Sequence, residues 1–276
     1  MDAARNRSHH LLTHDAEEVQ RLQAQHYMII RVFNGRLISA PVNLLPGTKV
    51  LDSATGTGIW ALQASTQYPE ISFTGIDIES RNFPTSPPPN AEFLFHNITA
   101  LPEEWSGTFD LVHQRLLLAA LCAEEWPRAI GEAHRVLKPG GWAQIVELSL
   151  SVWLQRGPVG RRFWDVFRAL SEARTMLSTC AEDIPQMLED AGFGNVRTEL
   201  VRIEMVGSTP DAIVARQSII GACRSLKKAI VQEGGFGIVG SGEEYDALLD
   251  ELDREFETGV NGSYPLELVA IVAQRA

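Results

Sequence analysis

Short apolar runs alternate with amphipathic segments over the first half of the chain. The runs lie near 48–53, 71–77, 91–97, 109–113 and 142–149. Runs of this length between turn residues are typical of buried strands. Apolar positions three and four residues apart predict helices over 57–67 and 124–137, and the second helix is predicted to end in a turn at the KPGG sequence, before the strand at 142–149. The alternation indicates a parallel sheet with helices on both faces.

One helix of this alternation is missing. The segment RNFPTSPPPN follows the second predicted strand and carries Pro87, Pro88 and Pro89. Proline lacks a backbone donor and fixes φ, so three in succession exclude a helix. The second crossover is therefore predicted to be an irregular loop.

The two ends of the chain have their own patterns. Residues 15–39 combine helical apolar spacing with Gly35 near their end, which predicts one or two helices. The second half predicts four helices over 157–177, 182–192, 209–233 and 243–257, and strands over 195–206 and 266–274.

Composition and charge exclude several classes of protein. The chain has 276 residues, 45% of them hydrophobic, which is enough for one large core with an added cap. The net charge of −11 and the scattered basic residues argue against a nucleic-acid partner. No apolar run has the length of a membrane span, and the first ten residues lack a signal-peptide core. The sparse cysteines match no zinc spacing and favour a reducing compartment, so we predict a cytoplasmic protein.

Three histidines near the start of the chain raise the question of a metal site. His9, His10 and His14 come without a cluster of carboxylates or cysteines. Metal sites in proteins are usually completed by such ligands, so we predict no metal.

The stretch TKVLDSATGTGIWAL, residues 48–62, carries the strongest chemical signal. Its GTGIWA segment fits the glycine fingerprint of dinucleotide sites, and Asp77 lies about 20 residues further on, where that fingerprint places a ribose-binding acid. Asp52 decides between ligands, because a carboxylate at the strand end repels a pyrophosphate but attracts an ammonium group. S-adenosylmethionine has a ribose, an amino-acid group and a sulfonium, and it has no phosphate. The pattern therefore favours S-adenosylmethionine over a dinucleotide.

The motifs together resemble the class I S-adenosylmethionine-dependent methyltransferases. The matching segments are VLDSATGTG, GIDIES, FDLVHQRLLL and EAHRVLKPGGWAQIVEL, in the family's order over about 48–150. A closer resemblance is to the LaeA-like methyltransferases of fungal secondary metabolism, through RLQAQHYMIIRVFNGRLISAP, the proline-bearing loop and EEWSGTFDLVHQRLL.

The resemblance implies the fold and its organisation. We expect an α/β fold with a Rossmann-like seven-stranded sheet, mostly parallel with the last strand antiparallel, and helices on both faces. An N-terminal helical lid is expected over 1–40. The methyltransferase domain is expected over 41–276, with a helical cap at about 156–192 and 209–257.

The resemblance also implies the cofactor-binding residues. The amino-acid and ribose parts of S-adenosylmethionine are expected beside the first loop, and adenine beside the ends of the second and third strands. The fourth strand's exit lies below the methionine portion, and an aromatic residue of the lid covers the sulfonium. In that order the residues are Asp52, Ala54, Thr55, Gly56 and Gly58; Asp77 and Ile78; Asn97 and Ile98; His113, Gln114 and Arg115; and Tyr27.

Two residues depart from the family's pattern. Ala54 stands where the first loop glycine is usual, so a positive φ there would cost about 1 kcal/mol. Asn97 replaces an acid after the third strand, and its amide oxygen is expected to accept a hydrogen bond from the adenine amine.

Methyl transfer to oxygen or nitrogen benefits from a base within hydrogen-bond reach. His113 is the first candidate, with His26, His96 and Glu147 behind it. Each has a structural alternative: His113 as a cofactor-positioning residue, Glu147 as a buried partner of Arg115, His26 as a packing residue of the lid, and His96 as a capped residue at a strand end.

The sequence supports more than one function. The favoured hypothesis is methyl transfer from S-adenosylmethionine to an oxygen or nitrogen of a small secondary metabolite, because an enclosed pocket suits a small acceptor. A regulator of secondary metabolism that keeps the fold, and a cyclase or pericyclase that binds the cofactor without net methyl transfer, stay open. An NAD-dependent oxidoreductase is a distant alternative, and a homodimer that pairs through the lid is also left open.

Overall fold

One seven-stranded sheet organises the protein. The computed structural model describes residues 16–150 and 156–276, so His9, His10 and His14 lie outside the described residues, as do the first fifteen residues of the predicted lid. The strands are β1 (Lys49–Ser53), β2 (Ser72–Asp77), β3 (Ala91–Phe95), β4 (Phe109–Arg115), β5 (Leu137–Ser149), β6 (Phe193–Glu204) and β7 (Pro265–Arg275). Their order is β3-β2-β1-β4-β5-β7-β6, and only β7 runs antiparallel to its neighbours. The predicted Rossmann-like fold is confirmed.

Helices lie on both sides of this sheet and beyond it. They are α1 (Ala16–Val32), α2 (Ile59–Gln67), α3 (Glu125–Val136), α4 (Pro158–Ala173), α5 (Cys180–Asp190), α6 (Pro210–Ser225), α7 (Lys227–Gln232) and α8 (Gly242–Thr258). Residues 78–90 hold no helix, as the prolines predict. In the described chain none of these helices combines the length and the apolar character needed to cross a bilayer.

One boundary agrees with the predictions and two differ. Within the described residues 16–39 one helix forms, as one of the two predicted possibilities, and it ends before Asn34 and Gly35, which adopt positive φ. The segment 209–233 divides at Leu226 into two helices. The KPGG sequence is the start of β5 and not a turn before it, since Leu137 pairs with Phe109 and a bulge follows.

The order of the strands places a topological switch point between β1 and β4. The chain moves outward from β1 to β3 on one side, and then from β4 to β5 on the other. Asp52 is in register with both Gly75 of β2 and His113 of β4. In open α/β sheets ligands bind beyond the carboxyl ends of strands at this point.

Buried side chains cover the sheet on both faces. Leu51, Ile76 and Leu111 are fully buried in adjacent strands, as expected where helices pack on both sides. A second apolar cluster lies around Trp60 and Phe73, where α2 meets the sheet. The strand ends that carry the candidate site are therefore anchored in a sheet whose two faces are buried.

The cap helices are joined to one another by buried polar contacts. The Glu255 carboxylate of α8 accepts hydrogen bonds from the backbone amides of Val159 and Gly160 at 3.3 and 2.9 Å, so it caps the start of α4. A Cβ atom at Gly157 would lie 2.2 Å from that carboxylate, so a side chain there would displace the Glu255 side chain. The bounds of the lid and cap stay predictions.

Candidate functional site

The loop after β1 turns through three left-handed residues. Ala54, Gly56 and Gly58 have φ values of 60°, 59° and 75°. The Thr55 amide donates to the Ile76 carbonyl at 2.7 Å, which joins the loop to β2. Gly58 must be glycine, since a Cβ atom there would lie 2.6 Å from the Phe93 ring. Ala54 therefore takes the strained conformation that its methyl group disfavours.

Asp77 is held in place at the end of β2. Its Oδ2 accepts a hydrogen bond from the Gly56 amide at 2.8 Å, and its Oδ1 accepts one from the Glu79 amide at 3.0 Å. The loop after β1 and the end of β2 are thereby fixed to each other around one acid.

Asp52 lies deeper, beneath the loop. It is 3% exposed, and the Thr55 hydroxyl donates to its Oδ2 at 2.5 Å. Burial raises its pKa to about 7, against the opposing effects of that hydrogen bond and of the nearby Arg115 guanidinium. An adjacent cation would therefore ionise this carboxyl fully near neutral pH.

A cavity of about 210 Å³ opens above the switch point. Eight residues predicted to bind the cofactor line it: Ala54, Thr55, Gly56, Asp77, Ile78, Asn97, Ile98 and Arg115. The sequence did not predict the rest of the wall, which comes from α1, from the start of α2, from the loop after β2 and from residues 116–121. Its residues are Glu18, Leu22, Gln25, Thr57, Ile59, Glu79, Asn82, Leu116, Leu117, Ala119, Ala120 and Leu121.

The other predicted cofactor residues lie away from this wall. Asp52 lies beneath the loop, and Gly58 ends the loop at the start of α2. His113 and Gln114 are buried within β4. Tyr27 is 60% exposed, because position 27 is on the outward face of α1, so the structure does not place its ring over the cavity.

His113 has a structural environment and not the geometry of a base. Its ring stacks on Trp60 with centroids 3.8 Å apart and a 16° angle between the planes. Its Nδ1 accepts a hydrogen bond from the Gln144 amide nitrogen at 3.2 Å, which assigns the proton to Nε2. Burial, reinforced by Arg115 and His26, lowers the pKa well below its ordinary value. The imidazole is therefore neutral, buried and outside the cavity.

Of the other base candidates, His96 packs edge-on against Trp105, with ring centroids 5.1 Å apart, and does not line the cavity. His26 and Glu147 are enclosed. The Nε2 atom of His26 lies 2.5 Å from the Gln63 amide oxygen, and burial with Arg115 lowers its pKa to about 4. Glu147 is fully buried and accepts a hydrogen bond from the Leu117 amide at 2.6 Å; burial raises its pKa to about 8. The alternative pairing of Glu147 with Arg115 is not found among residues 16–150 and 156–276.

Arg115 is the positive group of the cavity wall. It ends β4, and its guanidinium is enclosed enough for burial to lower its pKa to about 10, opposed by the charge of Asp52. Within the part of the chain that is described, its Nη1 atom has no hydrogen-bond partner. A buried guanidinium nitrogen without a partner is suited to an anionic ligand group.

Asn97 presents its amide differently from the prediction. Its Oδ1 already accepts hydrogen bonds from the amide and the hydroxyl of Thr99, both at 2.9 Å. The amide nitrogen is therefore the better candidate for a ligand contact, as a donor. Over the described ranges no group of three or more histidine, cysteine or acidic side chains is arranged to hold a metal.

Comparison with known proteins identifies the family. A family described as a methyltransferase domain matches residues 50–141. The N-methyltransferase gliN of Aspergillus fumigatus is 31% identical over 260 residues, which cover 90% of this chain and 91% of that protein. The chain belongs to the class I S-adenosylmethionine-dependent methyltransferases.

Two further likenesses agree with this methyltransferase family. The N-methyltransferase sirN of Leptosphaeria maculans is 40% identical over 151 residues, 54% of this chain and 53% of that protein. The mycolic acid cyclopropane synthase CmaA1, solved in complex with SAH and CTAB, has a TM-score of 0.56 at 14% identity and covers 92% of this chain and 85% of its own. That structural likeness shows the fold alone. The closer resemblance to LaeA-like proteins stays a prediction.

S-adenosylmethionine is the cofactor of this methyltransferase. Its ribose needs acceptors, its carboxylate needs a cation and its ammonium needs an anion. The cavity region contains the fixed carboxylate of Asp77, the unpaired nitrogen of Arg115 and the buried carboxyl of Asp52. The residues present therefore fit the molecule.

The contribution of α1 to the wall was missed although a signal was present. Glu18, Leu22 and Gln25 are spaced by four and three residues, so they share one face of α1. The sequence alone could not show that this face turns toward the β1 loop, since that depends on how α1 packs against α6.

Proposed function

We propose that this methyltransferase transfers the methyl group of S-adenosylmethionine to a nitrogen of a small secondary metabolite. Relatives named as N-methyltransferases support nitrogen over oxygen. The cavity of about 210 Å³ carries the proposal, because its charged groups match those of the cofactor and lie at the switch point.

We assign the cofactor's groups to the cavity by charge and polarity. Asp77 accepts hydrogen bonds from the ribose hydroxyls, and Ile78 and Ile98 flank adenine. Asn97 donates to an adenine ring nitrogen through its amide. Arg115 binds the methionine carboxylate, which gives the unpaired Nη1 atom its partner.

Asp52 acts from beneath the loop. Its carboxyl, held by the Thr55 hydroxyl, would supply the negative charge that favours the ammonium group of bound S-adenosylmethionine. His113 is a positioning residue in this proposal: stacked on Trp60 and bonded to Gln144, it fixes the strand that ends in Arg115.

The chain's contribution to the reaction is alignment. When bound, S-adenosylmethionine supplies an activated methyl group on a positively charged sulfur. The protein holds the two reactants in line and excludes water, and such positioning accounts for a large part of catalysis in bimolecular reactions. Leu22, Leu116 and Leu117 provide the apolar part of the wall that does this.

The experiment is transfer of a labelled methyl group. The purified protein is incubated with methyl-labelled S-adenosylmethionine and a panel of small secondary amides, secondary amines and phenols. The proposal expects label on a nitrogen with one equivalent of S-adenosylhomocysteine formed. Label only on phenol oxygen would contradict the nitrogen assignment. A rearranged product without label would favour the cyclase alternative, and binding without any product would favour a regulator.

A further inference from the structure

Methyl transfer to an N–H group must release a proton, and three histidine or acidic candidates for receiving it are enclosed. His113, His26 and Glu147 do not line the cavity. The ionisable groups that do line it are Glu18, Asp77, Glu79 and Arg115. The carboxylates of the cavity wall are therefore the groups placed to receive the proton.

Two of these carboxylates, Asp77 and Glu79, lie on the side of the cavity that is assigned to the ribose. Asp77 and Glu79 are joined through the Glu79 amide, and Glu79 also forms a bidentate ion pair with Arg81 at 2.9 and 2.7 Å. Glu18 comes from the lid helix α1 instead, in the same wall as Leu22 and Gln25. Among these three acids, Glu18 is the one carried by a helix and not by a strand end or the loop that follows it.

Glu18 is oriented by a fixed partner. Arg21 donates to both of its oxygens, from Nε to Oε2 and from Nη2 to Oε1, each at 2.7 Å. Arg21 Nη1 donates in turn to the Ser218 carbonyl of α6 at 3.3 Å. The carboxylate is 5% exposed. The lid and the cap together therefore hold this one acid beside the cofactor cavity.

A second space adjoins the same ion pair. A groove of about 600 Å³ runs between α1 and α6, and among the described residues Glu18 is the one that lines both this groove and the cofactor cavity. Its walls include Gln20, Gln217 and Ser225, which offer donors and acceptors to a polar molecule. A small acceptor seated there would present its reactive atom at Glu18.

We infer that Glu18 binds the acceptor N–H and receives its proton as the methyl group is transferred. The inference rests on the proposed function. A nitrogen–carbon bond forms from the acceptor's lone pair, and the sulfur–carbon bond breaks and leaves its electron pair on sulfur as S-adenosylhomocysteine. The proton passes from nitrogen to the Glu18 carboxylate and then to water, so charge and atoms balance.

The chemistry of a carboxylate also selects the class of acceptor. Carboxylates are weak bases, so they take protons only from more acidic groups. The cation formed by methylation of an amide nitrogen is a strong acid, whereas an alkylammonium ion is a weak one. Glu18 therefore fits a small metabolite with a secondary amide or another weakly basic nitrogen.

Sinefungin tests the position of Glu18 without requiring the acceptor. In this analogue an amine-bearing carbon replaces the methylated sulfur, so its ammonium lies where the methyl group would be. The affinities of sinefungin and S-adenosylhomocysteine are measured by calorimetry for the wild-type chain, Glu18→Gln, Glu18→Asp and the control Glu172→Gln. Glu172 is an exposed side chain of α4, 67% accessible.

The ratio of the two affinities is the readout. We expect the preference for sinefungin to fall about tenfold in Glu18→Gln, because one charged hydrogen bond is lost. The affinity for S-adenosylhomocysteine should change less than twofold, Glu18→Asp should recover part of the preference, and Glu172→Gln should keep it. An unchanged ratio in Glu18→Gln, with both ligands still bound, would overturn the inference and leave the proposed function intact. If the wild-type chain binds neither ligand, both are overturned.

Discussion

Ala54 shows how one side chain sets a local strain at the cofactor loop. Its φ of 60° is left-handed, a conformation that costs an alanine about 1–2 kcal/mol. The neighbouring left-handed positions, Gly56 and Gly58, avoid this cost. The sequence identified the conflict at Ala54 but not its outcome, since the loop could have turned in another way.

The Ala54→Gly variant should therefore be more stable. Relief of the left-handed strain outweighs the extra entropy of glycine in the unfolded chain, for a net gain of about 0.5–1 kcal/mol. Urea unfolding followed by circular dichroism measures it. The matched control is Ala61→Gly inside α2, which should lose stability. A loss of stability in Ala54→Gly as well would show that the methyl group packs favourably.

At the scale of single elements, the strands could be predicted from the sequence. The helix and loop segments that complete the site beside them could not. The runs at 48–53 and 71–77 gave β1 and β2 within a residue or two, because buried parallel strands are continuously apolar. KPGG was misread as a turn because glycine and proline usually end elements, whereas here they occupy a bulged strand start.

The contact between α8 and α4 makes an element-scale prediction. Glu255→Ala removes the carboxylate that caps the start of α4 and leaves the Gly160 amide without a partner. We expect a loss of about 1–2 kcal/mol in the free energy of unfolding. Glu251→Ala, on the exposed face of the same helix, is the control. Equal effects of the two substitutions in denaturant titrations would rule out the capping role.

At the scale of the whole molecule, buried ionisable groups couple stability to pH in two directions. Asp52 and Glu147 have pKa values raised to about 7 and about 8. Their protonated forms therefore favour the folded chain at low pH, and this contribution to the free energy of unfolding is lost as the pH rises through those values. His26 has a pKa lowered to about 4, so its contribution is present above its ordinary value and lost as the pH falls. Between pH 4 and 6.5 the two trends oppose each other.

The cofactor-free protein should therefore be less stable at pH 8.5 than at pH 6. Above pH 6.5 His26 is neutral in both the folded and the unfolded chain. Asp52 and Glu147 lose their protons in the folded chain over this range and then carry buried charges. Urea unfolding at pH 6, 7 and 8.5 measures the trend, and Glu147→Gln should flatten it. Stability that rises steadily from pH 6 to 8.5 would contradict the burial of these two carboxyls.

The site as a whole was predictable only in part. The β1 loop and Asp77 follow from local sequence, because strand ends and glycines fix where a ligand can approach. Glu18 and residues 116–121 depend on long-range packing of α1 and of the loop that Glu147 holds. His113 appeared catalytic because it ends a strand near the cofactor, but stacking on Trp60 turns it inward.

The central claim is that Asp77 binds the ribose of an S-adenosyl cofactor in the cavity at the switch point. The direct measurement is calorimetric titration of S-adenosylhomocysteine into the wild-type chain and Asp77→Ala, with NAD⁺ as a competing ligand. We expect binding to weaken by about 1–3 kcal/mol in the variant, and we expect no binding of NAD⁺. Unchanged affinity in Asp77→Ala, or NAD⁺ bound in place of S-adenosylhomocysteine, would contradict it.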